Sequence, residues 1–305
     1  MILIITHKLD FTADFIINKL NEKHIPYKRF NCEEILESTI TFELCENFTY
    51  NILGETNYSS VWFRRIKLPE IDLSPVWHKQ YILSEIDSFL HNIFSVLTCP
   101  WISEPYNVYK AENKIFQLKI AQFIGFKIPN TIVTTEKGKV SNFFVHNKKT
   151  IIKPISRTRI NNKNIPEFIF TNSIDSDHQS ILKNHDLTPC IFQEEIEKDL
   201  ELRVTVVGDK VFAAQIKSQD DEETKIDWRR KKMRFTKFEL PNEISTKCLA
   251  IVKYLNLNFG AIDLILSPSG EYTFLEINPN GQWVWIENDT GLKISDALIN
   301  LLQCK

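Results

Sequence analysis

The sequence predicts a mixed α/β (α+β) fold that ends in an antiparallel sheet. Short apolar runs of strand length alternate with longer segments whose apolar residues recur at helical spacing, starting with a strand over 1–6 and a helix near 12–20. Two further pairs of apolar runs flank the turn sequences at 208–209 and 267–270, which are typical of β-hairpins. A chain of 305 residues is long enough for two or three small domains.

Composition and charge exclude several classes of protein. A hydrophobic content of 43% with 25% charged residues is typical of a globular enzyme, and a net charge of −2 gives no basis for binding nucleic acid or a membrane. No apolar run reaches the ~20 residues that span a bilayer. The six cysteines are scattered without metal-binding spacing, so we expect reduced thiols in a cytoplasmic protein.

The first third of the chain predicts a small α/β domain. Further strands are expected near 25–30, 39–44, 48–53 and 59–65, and a long amphipathic helix over 76–97. The strand at 59–65 ends in Arg64 and Arg65. This pair could bind a phosphate or a peptide carboxylate, although a solvated strand end is the commoner role of such a pair.

The middle segment predicts helices and strands around a basic tract. A helical segment over 107–125 ends at a glycine and is followed by a strand near 131–134, a short helix near 139–144 and a strand over 150–153. The polar, basic tract 155–175 is interpreted as a mobile lid, a peptide-contacting loop or a variable surface loop, and a short helix is expected over 177–184.

The next segment predicts strands that carry large cations. A buried strand over 189–196 runs into acidic residues, and the hairpin of 201–207 with 210–216 sets Arg203 opposite Ala214. A small residue beside a large cation leaves room for a ligand; an edge-strand arginine in water is the alternative. Asp227-Trp228-Arg229 opens a basic segment next to an acidic block, which favours presentation of arginine to phosphate over nucleic-acid binding. Helices are expected over 241–255 and 291–302.

The hairpin of 260–266 with 274–280 carries the strongest chemical signal. Because side chains alternate along a strand, Phe274, Glu276 and Asn278 are expected on one face, and a loop of even length adds Asp263 to it. Hard oxygen ligands suit Mg²⁺, which proteins usually hold with one or two carboxylates plus substrate phosphates. A polar hairpin face in water is the alternative.

These motifs, in their order, resemble those of the ATP-grasp ligase superfamily. The matching motifs are Asn113-Lys114, Lys153, 193–196, 201–209, 227–229, 261–264 and 275–281. The stretches 201–214, 227–229, 281–287 and 62–65 resemble the graspetide (microviridin-type) peptide maturases more closely than the ribosomal-protein glutamate ligases of the same branch. The resemblance covers nearly the whole chain.

The resemblance implies an ATP-grasp fold in three parts. They are an N-terminal pre-ATP-grasp domain (1–105), a central subdomain (106–190) and a C-terminal subdomain (191–305), with Mg-ATP between the last two. This chain departs from many ATP-grasp enzymes in having no glycine-rich phosphate lid after its central strand-end lysine. Arg157 and Arg159 are the cations that could supply charge there.

The resemblance also implies nucleotide-binding residues. Lys114 and Lys153 match the two lysines that contact ATP phosphates. Glu194 and Glu195 match the hinge that reads adenine through backbone groups, and Glu201 matches the acid that binds the ribose.

Catalytic and metal-binding residues follow from the same motifs. Arg203 and Arg229 match arginines that face the γ-phosphate and an acyl phosphate. Asp263, Glu276 and Asn278 match the Mg²⁺ ligands, for an expected two ions.

For such a maturase, the implied substrate is a ribosomal precursor peptide with a leader segment. An Asp or Glu side chain is activated as an acyl phosphate and joined to a Ser, Thr or Lys side chain as a macrocyclic ester or amide. We expect the leader to dock near 155–175, 177–184 and 202–216, and the Trp-rich stretch 282–285 to form a wall beside the metals. A homodimer is one candidate oligomer.

Two other functions stay open. One is a ligase that adds glutamate or another amino acid to a protein end or a small molecule. The other is an ATP-binding regulatory module without ligase activity, which the intact set of charged residues argues against.

Overall fold

The computed structural model describes residues 1–147, 149–156, 159–162, 165–174 and 188–303. The helix expected over 177–184 lies outside these residues, as do Arg157 and Cys304. The five cysteines that are described are unpaired. Across the described ranges, every helix is too short or too polar to cross a lipid bilayer.

The N-terminal part is a parallel sheet with helices and one hairpin. Its elements are β1 (Ile2–Thr6), α1 (Phe11–Glu22), β2 (Tyr27–Asn31), β3 (Ile40–Leu44), β4 (Phe48–Ile52), β5 (Ser60–Phe63), α2 (Val76–Val96) and β6 (Trp101–Ile102). The sheet has the order β2-β1-β5-β6 with parallel pairing throughout, and β3 pairs antiparallel with β4. The predicted elements are therefore confirmed, with ends that move by a few residues.

The central part is a four-stranded sheet preceded by two helices. Its elements are α3 (Pro105–Ala111), α4 (Lys114–Ile124), β7 (Thr131–Val133), α5 (Lys137–His146), β8 (Thr150–Lys153), β9 (Arg159–Asn162), β10 (Ile165–Phe168), β11 (Asn172–Ile174) and β12 (Ile191–Glu194). The sheet order is β11-β8-β12-β7, and β9 pairs with β10 as a separate hairpin.

Three details of the central part differ from expectation. The segment 107–125 forms two helices, because Asn113 has an extended backbone and starts α4 anew; Gly125 ends α4 in the left-handed conformation as predicted. The basic tract contains the β9–β10 hairpin and not only irregular loop. Strand β12 pairs with both β7 and β8, so central-sheet pairing extends past the expected boundary at 190. The two boundaries between the three parts remain predictions.

The C-terminal part is a five-stranded antiparallel sheet with three helices. Its elements are β13 (Leu200–Val207), β14 (Lys210–Ile216), β15 (Thr236–Lys237), α6 (Asn242–Tyr254), β16 (Phe259–Leu266), β17 (Tyr272–Asn278), α7 (Val284–Thr290) and α8 (Ile294–Gln303). The order β15-β14-β13-β16-β17 places β13 in the middle, and all its residues are buried. Gly208 takes a positive φ of 58° in the turn between β13 and β14, as its hairpin requires.

Two predictions near the C-terminus are wrong. Gly291 does not start the last helix; it ends α7 with a φ of 69°, so α8 begins at Ile294. The side chain of Trp283 was expected in a wall beside the metals, but it is fully buried and packs edge-to-face on Phe15 of α1, with ring centroids 6.0 Å apart. The apolar indole joins the N-terminal and C-terminal parts.

Candidate active site

Three neighbouring strands align the central charges of the site. Arg203 on β13 is the register partner of Asp263 on β16, and Asp263 is the partner of Glu276 on β17. Side chains of directly paired residues stand on the same face of a sheet, about 5 Å apart. The Arg203 Nη1 donates to Asp263 Oδ1 at 2.8 Å. A cation and two carboxylates therefore lie in one row across the sheet.

A β-bulge changes which side chains share this face. The register moves from Leu264–Phe274 to Asp263–Glu276, so Leu275 is one extra residue in β17. Phe274 is therefore turned into the core, where it is fully buried against Phe126, and the prediction that it shares a face with Glu276 is wrong. Asn278 does lie beside Glu276, to whose Oε1 it donates at 3.3 Å.

Three more cations surround the carboxylates. Lys114, the first residue of α4, has its Nζ 3.9 Å from Glu276 Oε2 and donates to the Pro154 carbonyl at 3.2 Å. Lys153 ends β8. Arg229 lies in a short 3₁₀ turn and forms a two-pronged pair with Asp227, at 2.7 and 2.6 Å. The pair fixes the guanidinium without removing it from the cleft.

These charges shift one another's ionisation. Burial raises the pKa of Asp263, and the charge of Glu276 adds to the rise against the opposing effect of Arg203. Burial acts the same way on Glu276, but Lys114, Lys153 and Arg229 together outweigh it and lower the pKa of Glu276. Burial lowers the pKa of Lys153 to about 8, although Glu276 works against this shift. Cations outnumber carboxylates here, which suits a polyanionic ligand.

The far end of the same cleft is the segment after β12. The N–H of Glu194 donates to the Asn130 carbonyl at 2.8 Å, and that of Glu195 to the Lys149 carbonyl at 3.0 Å. The side chain of Glu195 accepts from Ser173 at 2.6 Å. The N–H groups of Glu194 and Glu195 already donate to protein carbonyls. The N–H of Ile196 is therefore the next backbone donor in this segment that a ligand could use.

Glu201 lies between the two ends of the cleft. It is the second residue of β13 and is 8% exposed. Its Oε1 accepts from Lys198 Nζ at 3.0 Å, and the same ammonium donates to the Ile226 carbonyl at 3.1 Å. The carboxylate is thereby held at the cleft wall with its second oxygen available to a ligand.

The sequence-predicted residues come together. All of them except Arg203 and Asn278 line one cleft formed from both the central and C-terminal sheets, and those two are hydrogen-bonded to the lining residues Asp263 and Glu276. Among the described residues, no group of three or more His, Cys, Asp or Glu side chains is placed to hold a metal. The oxygen set here is two carboxylates and one amide, which fits a Mg²⁺ ion completed by phosphate oxygens.

Two buried polar atoms indicate what else the cleft can bind. Gln193 is fully buried and lines the far end of the cleft, next to the segment 194–196. Its Oε1 accepts no hydrogen bond from the described residues. The Nε–H of Arg203 likewise donates to none of them at the other end. An unpaired acceptor and an unpaired cationic donor suit the amino group of a purine and a phosphate oxygen. The cleft therefore fits ATP at both ends.

Sequence reasoning missed Gln117, which supports the metal-binding strand. This buried side chain lies one turn after Lys114 on α4. Its Nε2 donates to the Ile277 carbonyl at 2.8 Å and to the Ala111 carbonyl at 2.6 Å, and its Oε1 accepts from the Ile277 N–H at 3.0 Å. Ile277 separates Glu276 from Asn278 on an edge strand, so Gln117 pairs that strand as a neighbouring strand would. A glutamine among apolar helix positions was the available signal.

Comparisons with known proteins agree with this geometry. A family model described as the RimK-like ATP-grasp domain matches residues 111–302. A RiPP-associated ATP-grasp ligase from Chryseobacterium gregarium, solved in complex with ADP and a leader and core peptide, is 31% identical over 99% of this chain and 96% of that one, with a TM-score of 0.89.

Two further solved structures are similar over nearly their whole length. The macrocyclase MdnC from Microcystis aeruginosa MRC, bound with the precursor peptide MdnA, is 26% identical over 99% of this chain and 98% of that one, with a TM-score of 0.84. The macrocyclase MdnB from the same organism is 28% identical over 100% and 99%, with a TM-score of 0.81. The comparison with curated proteins finds no match.

Proposed function

Because this chain belongs to the RimK-like ATP-grasp family and is an ATP-dependent ligase, we propose that it acts on a ribosomally made precursor peptide. It activates Asp or Glu side chains of that peptide and joins each to another side chain as a macrocyclic ester or amide. One observation carries this proposal: two lysines and two arginines surround a buried carboxylate pair in a cleft whose far end suits a purine. The similarity to a ligase solved with leader and core peptides supports a peptide substrate.

The nucleotide would lie along the cleft. Gln193 Oε1 and the backbone of the segment 194–196 would bind adenine, and Glu201 would bind the ribose hydroxyls; the cleft that these residues share supports this proposal. Lys114 and Lys153 lie where the phosphates would be.

The metal-binding and catalytic groups lie at the phosphate end. Asp263, Glu276 and Asn278 would hold Mg²⁺, in a proposed two-ion arrangement, and bound Mg²⁺ supplies charge neutralisation for phosphoryl transfer. Arg203 and Arg229 are held by Asp263 and Asp227; Arg229 lines the cleft, and the buried Nε–H of Arg203 has no partner among the described residues.

The reaction uses two displacements. An oxygen of the substrate carboxylate attacks the γ-phosphorus and the bond to ADP breaks, which gives an acyl phosphate. A hydroxyl or amine of the peptide then attacks the acyl carbon, loses its proton, and releases phosphate that keeps one carboxylate oxygen. Arg203 and Arg229 stabilise the negative charge on the phosphoryl oxygens, and fixed donors in a partly buried cleft do this without reorganisation.

The proposal extends to the docking of the leader segment. A leader segment would dock away from the chemistry, near the β9–β10 hairpin or the β13–β14 hairpin. In the β13–β14 hairpin, β13 is buried throughout, so a leader could contact only β14 and the turn. A homodimer and a cytoplasmic location remain predictions of the sequence.

The test incubates the purified chain with Mg-ATP and candidate precursor peptides that carry Thr, Ser or Lys near Asp or Glu. We expect ADP formation and a peptide that loses the mass of one water per link. Glu276→Gln should abolish both while the far-UV spectrum and melting temperature stay close to those of the wild type, because the change is nearly isosteric. A mass gain equal to an added amino acid would support the alternative, a ligase for free amino acids, and overturn the macrocycle proposal.

A further inference from the structure

The N-terminal sheet has a topological switch point beside the candidate active site. From β1 the chain passes through α1 to β2 on one side, and it later returns to place β5 on the other side of β1. All these strands are parallel, so the carboxyl ends of β1 and β5 lie at one edge of the sheet, where the strand order reverses. In open α/β sheets, ligands bind in the crevice at such a point. The proposed function does not yet use this crevice.

Arg64 and Arg65 follow directly after β5 and differ in burial and in hydrogen bonding. Arg64 is buried, and its guanidinium donates to Asp10 at 3.1 and 3.4 Å and to the Asn280 carbonyl at 3.4 Å. Arg64 is therefore structural, and the expectation that the pair is a solvated strand end is wrong for it. Arg65 is exposed and makes no hydrogen bond or ion pair with the residues that the structure describes.

The end of β5 abuts the site. The Asn280 carbonyl that Arg64 holds lies two residues before the Gln282 carbonyl, to which Arg203 Nη2 donates at 3.4 Å. Between them, Gly281 is so close to Arg203 that an added Cβ would lie 2.9 Å from Nη2. Both arginines thus donate to carbonyls of the segment 280–282, which begins two residues after the end of the metal-binding strand β17.

Like charges accumulate around Arg65. Although the side chain of Arg65 is exposed, desolvation by the surrounding protein lowers its pKa; the charges of Arg64 and Arg203 lower it further, against opposing effects from Asp10 and Glu112. Placing cations together is unfavourable unless an anion binds among them. Arg64 and Arg203 are already paired with Asp10 and Asp263, so Arg65 is the cation of this group with its fork of donors available.

We propose that Arg65 binds the side-chain carboxylate of the acidic substrate at the β1–β5 switch point; this inference rests on the proposed function. A guanidinium fork matches both oxygens of a carboxylate. The neighbouring β1–α1 loop exposes Leu9 (79%) and Phe11 (64%) on either side of the anchored Asp10, which offers apolar surface to a peptide. Arg65 would hold the carboxylate before phosphorylation, while Arg203 and Arg229 serve the phosphoryl group.

Equilibrium binding tests this assignment without turnover. The probes are two fluorescent synthetic peptides, one alternating Glu with Thr and a neutral one alternating Gln with Thr, added to the protein saturated with a non-hydrolysable ATP analogue and Mg²⁺. We expect wild type to prefer the acidic peptide, and Arg65→Gln to lower that preference about tenfold, the size of one charge-assisted contact. Arg65→Lys should restore part of it. Lys119→Gln, the same loss of charge at an exposed position of α4, is the matched control and should change nothing.

The outcomes separate this inference from the proposed function. An unchanged preference in Arg65→Gln, or a wild type that binds both peptides equally, overturns the role of Arg65. Neither result touches the water-loss assay, which alone decides the ligase proposal. Because Arg65 is exposed, its variant should fold, and an unchanged melting temperature and nucleotide affinity show that any lost preference is local.

Discussion

Binding of ATP should weaken as pH rises through the pKa of Lys153. Burial lowers that pKa from 10.5 to about 8 in the free protein. At pH 7 about nine tenths of the ammonium groups are charged, and at pH 9 about one tenth. A triphosphate beside Lys153 favours the charged form, so at high pH the protein must take up a proton to bind it.

The size of the effect follows from the two pKa values. If bound phosphates return the pKa of Lys153 to its ordinary 10.5, proton linkage makes the dissociation constant for ATP about tenfold weaker at pH 9 than at pH 7. The sign is fixed: a pKa that is lower in the free state than in the bound state makes affinity fall with rising pH. Proton uptake should also appear as a dependence of the binding enthalpy on the buffer.

Calorimetric titration of Mg-ATP from pH 7 to pH 9 measures this slope. Lys153→Arg is the matched control, because a guanidinium stays charged throughout this range. Its absolute affinity will differ, but its pH dependence should be nearly flat, which also corrects for titration of the nucleotide. A wild-type affinity that does not change with pH, or an Arg variant with the wild-type slope, would refute the assignment of Lys153 to the phosphate site.

Two other residues give predictions that concern the framework of the site. Gly281→Ala should lower turnover and cost about 1–3 kcal/mol of stability, because the new Cβ would lie 2.5 Å from the Cβ of Ala261 on β16. Gly138→Ala is the control, because a Cβ at Gly138 meets no atom within 4 Å. Equal activity and melting temperature of the two variants would contradict the steric account. Asp10→Asn should destabilise the fold by about 2 kcal/mol at neutral pH. Burial raises the pKa of Asp10, but the charge of Arg64 and the hydrogen bonds from Arg64, Thr6 and Ala13 outweigh it and lower the pKa to about 2 from 3.8. The lowered value means that this stabilisation is present above pH 3.8 and is lost as pH falls through about 2, so urea unfolding of wild type and variant should converge in acid; a constant difference would sink the ion-pair explanation.

Local chemistry made much of this fold predictable. The turn residues at 208–209 and 267–270 predicted both hairpins of the C-terminal sheet, and the structure confirms them. The two-residue period of strands correctly placed Glu276 and Asn278 on one face. Asp263 joins them for a different reason than predicted: the connection is five residues long, over 267–271, and the bulge at Leu275 compensates for its odd length. Arg203 joined them because its strand is the central one, a fact of topology that the resemblance supplied.

Other features depend on contacts distant in sequence or on single-residue irregularities. The bulge at Leu275 leaves no mark in an apolar run, so period two placed Phe274 on the wrong face. The Asp10–Arg64 pair joins residues 54 positions apart, and neither residue alone indicates it. Trp283 follows shortly after the expected metal ligands, yet it is buried against helix α1 from the other end of the chain.

The most direct test of the account follows an oxygen atom. A precursor peptide whose acidic side chains carry a heavy oxygen isotope is incubated with the protein and Mg-ATP, and the released inorganic phosphate is examined by mass spectrometry. If ATP activates the substrate carboxylate as an acyl phosphate, one labelled oxygen appears in phosphate for each link formed. Linked peptide accompanied by unlabelled phosphate would contradict carboxylate activation at this site.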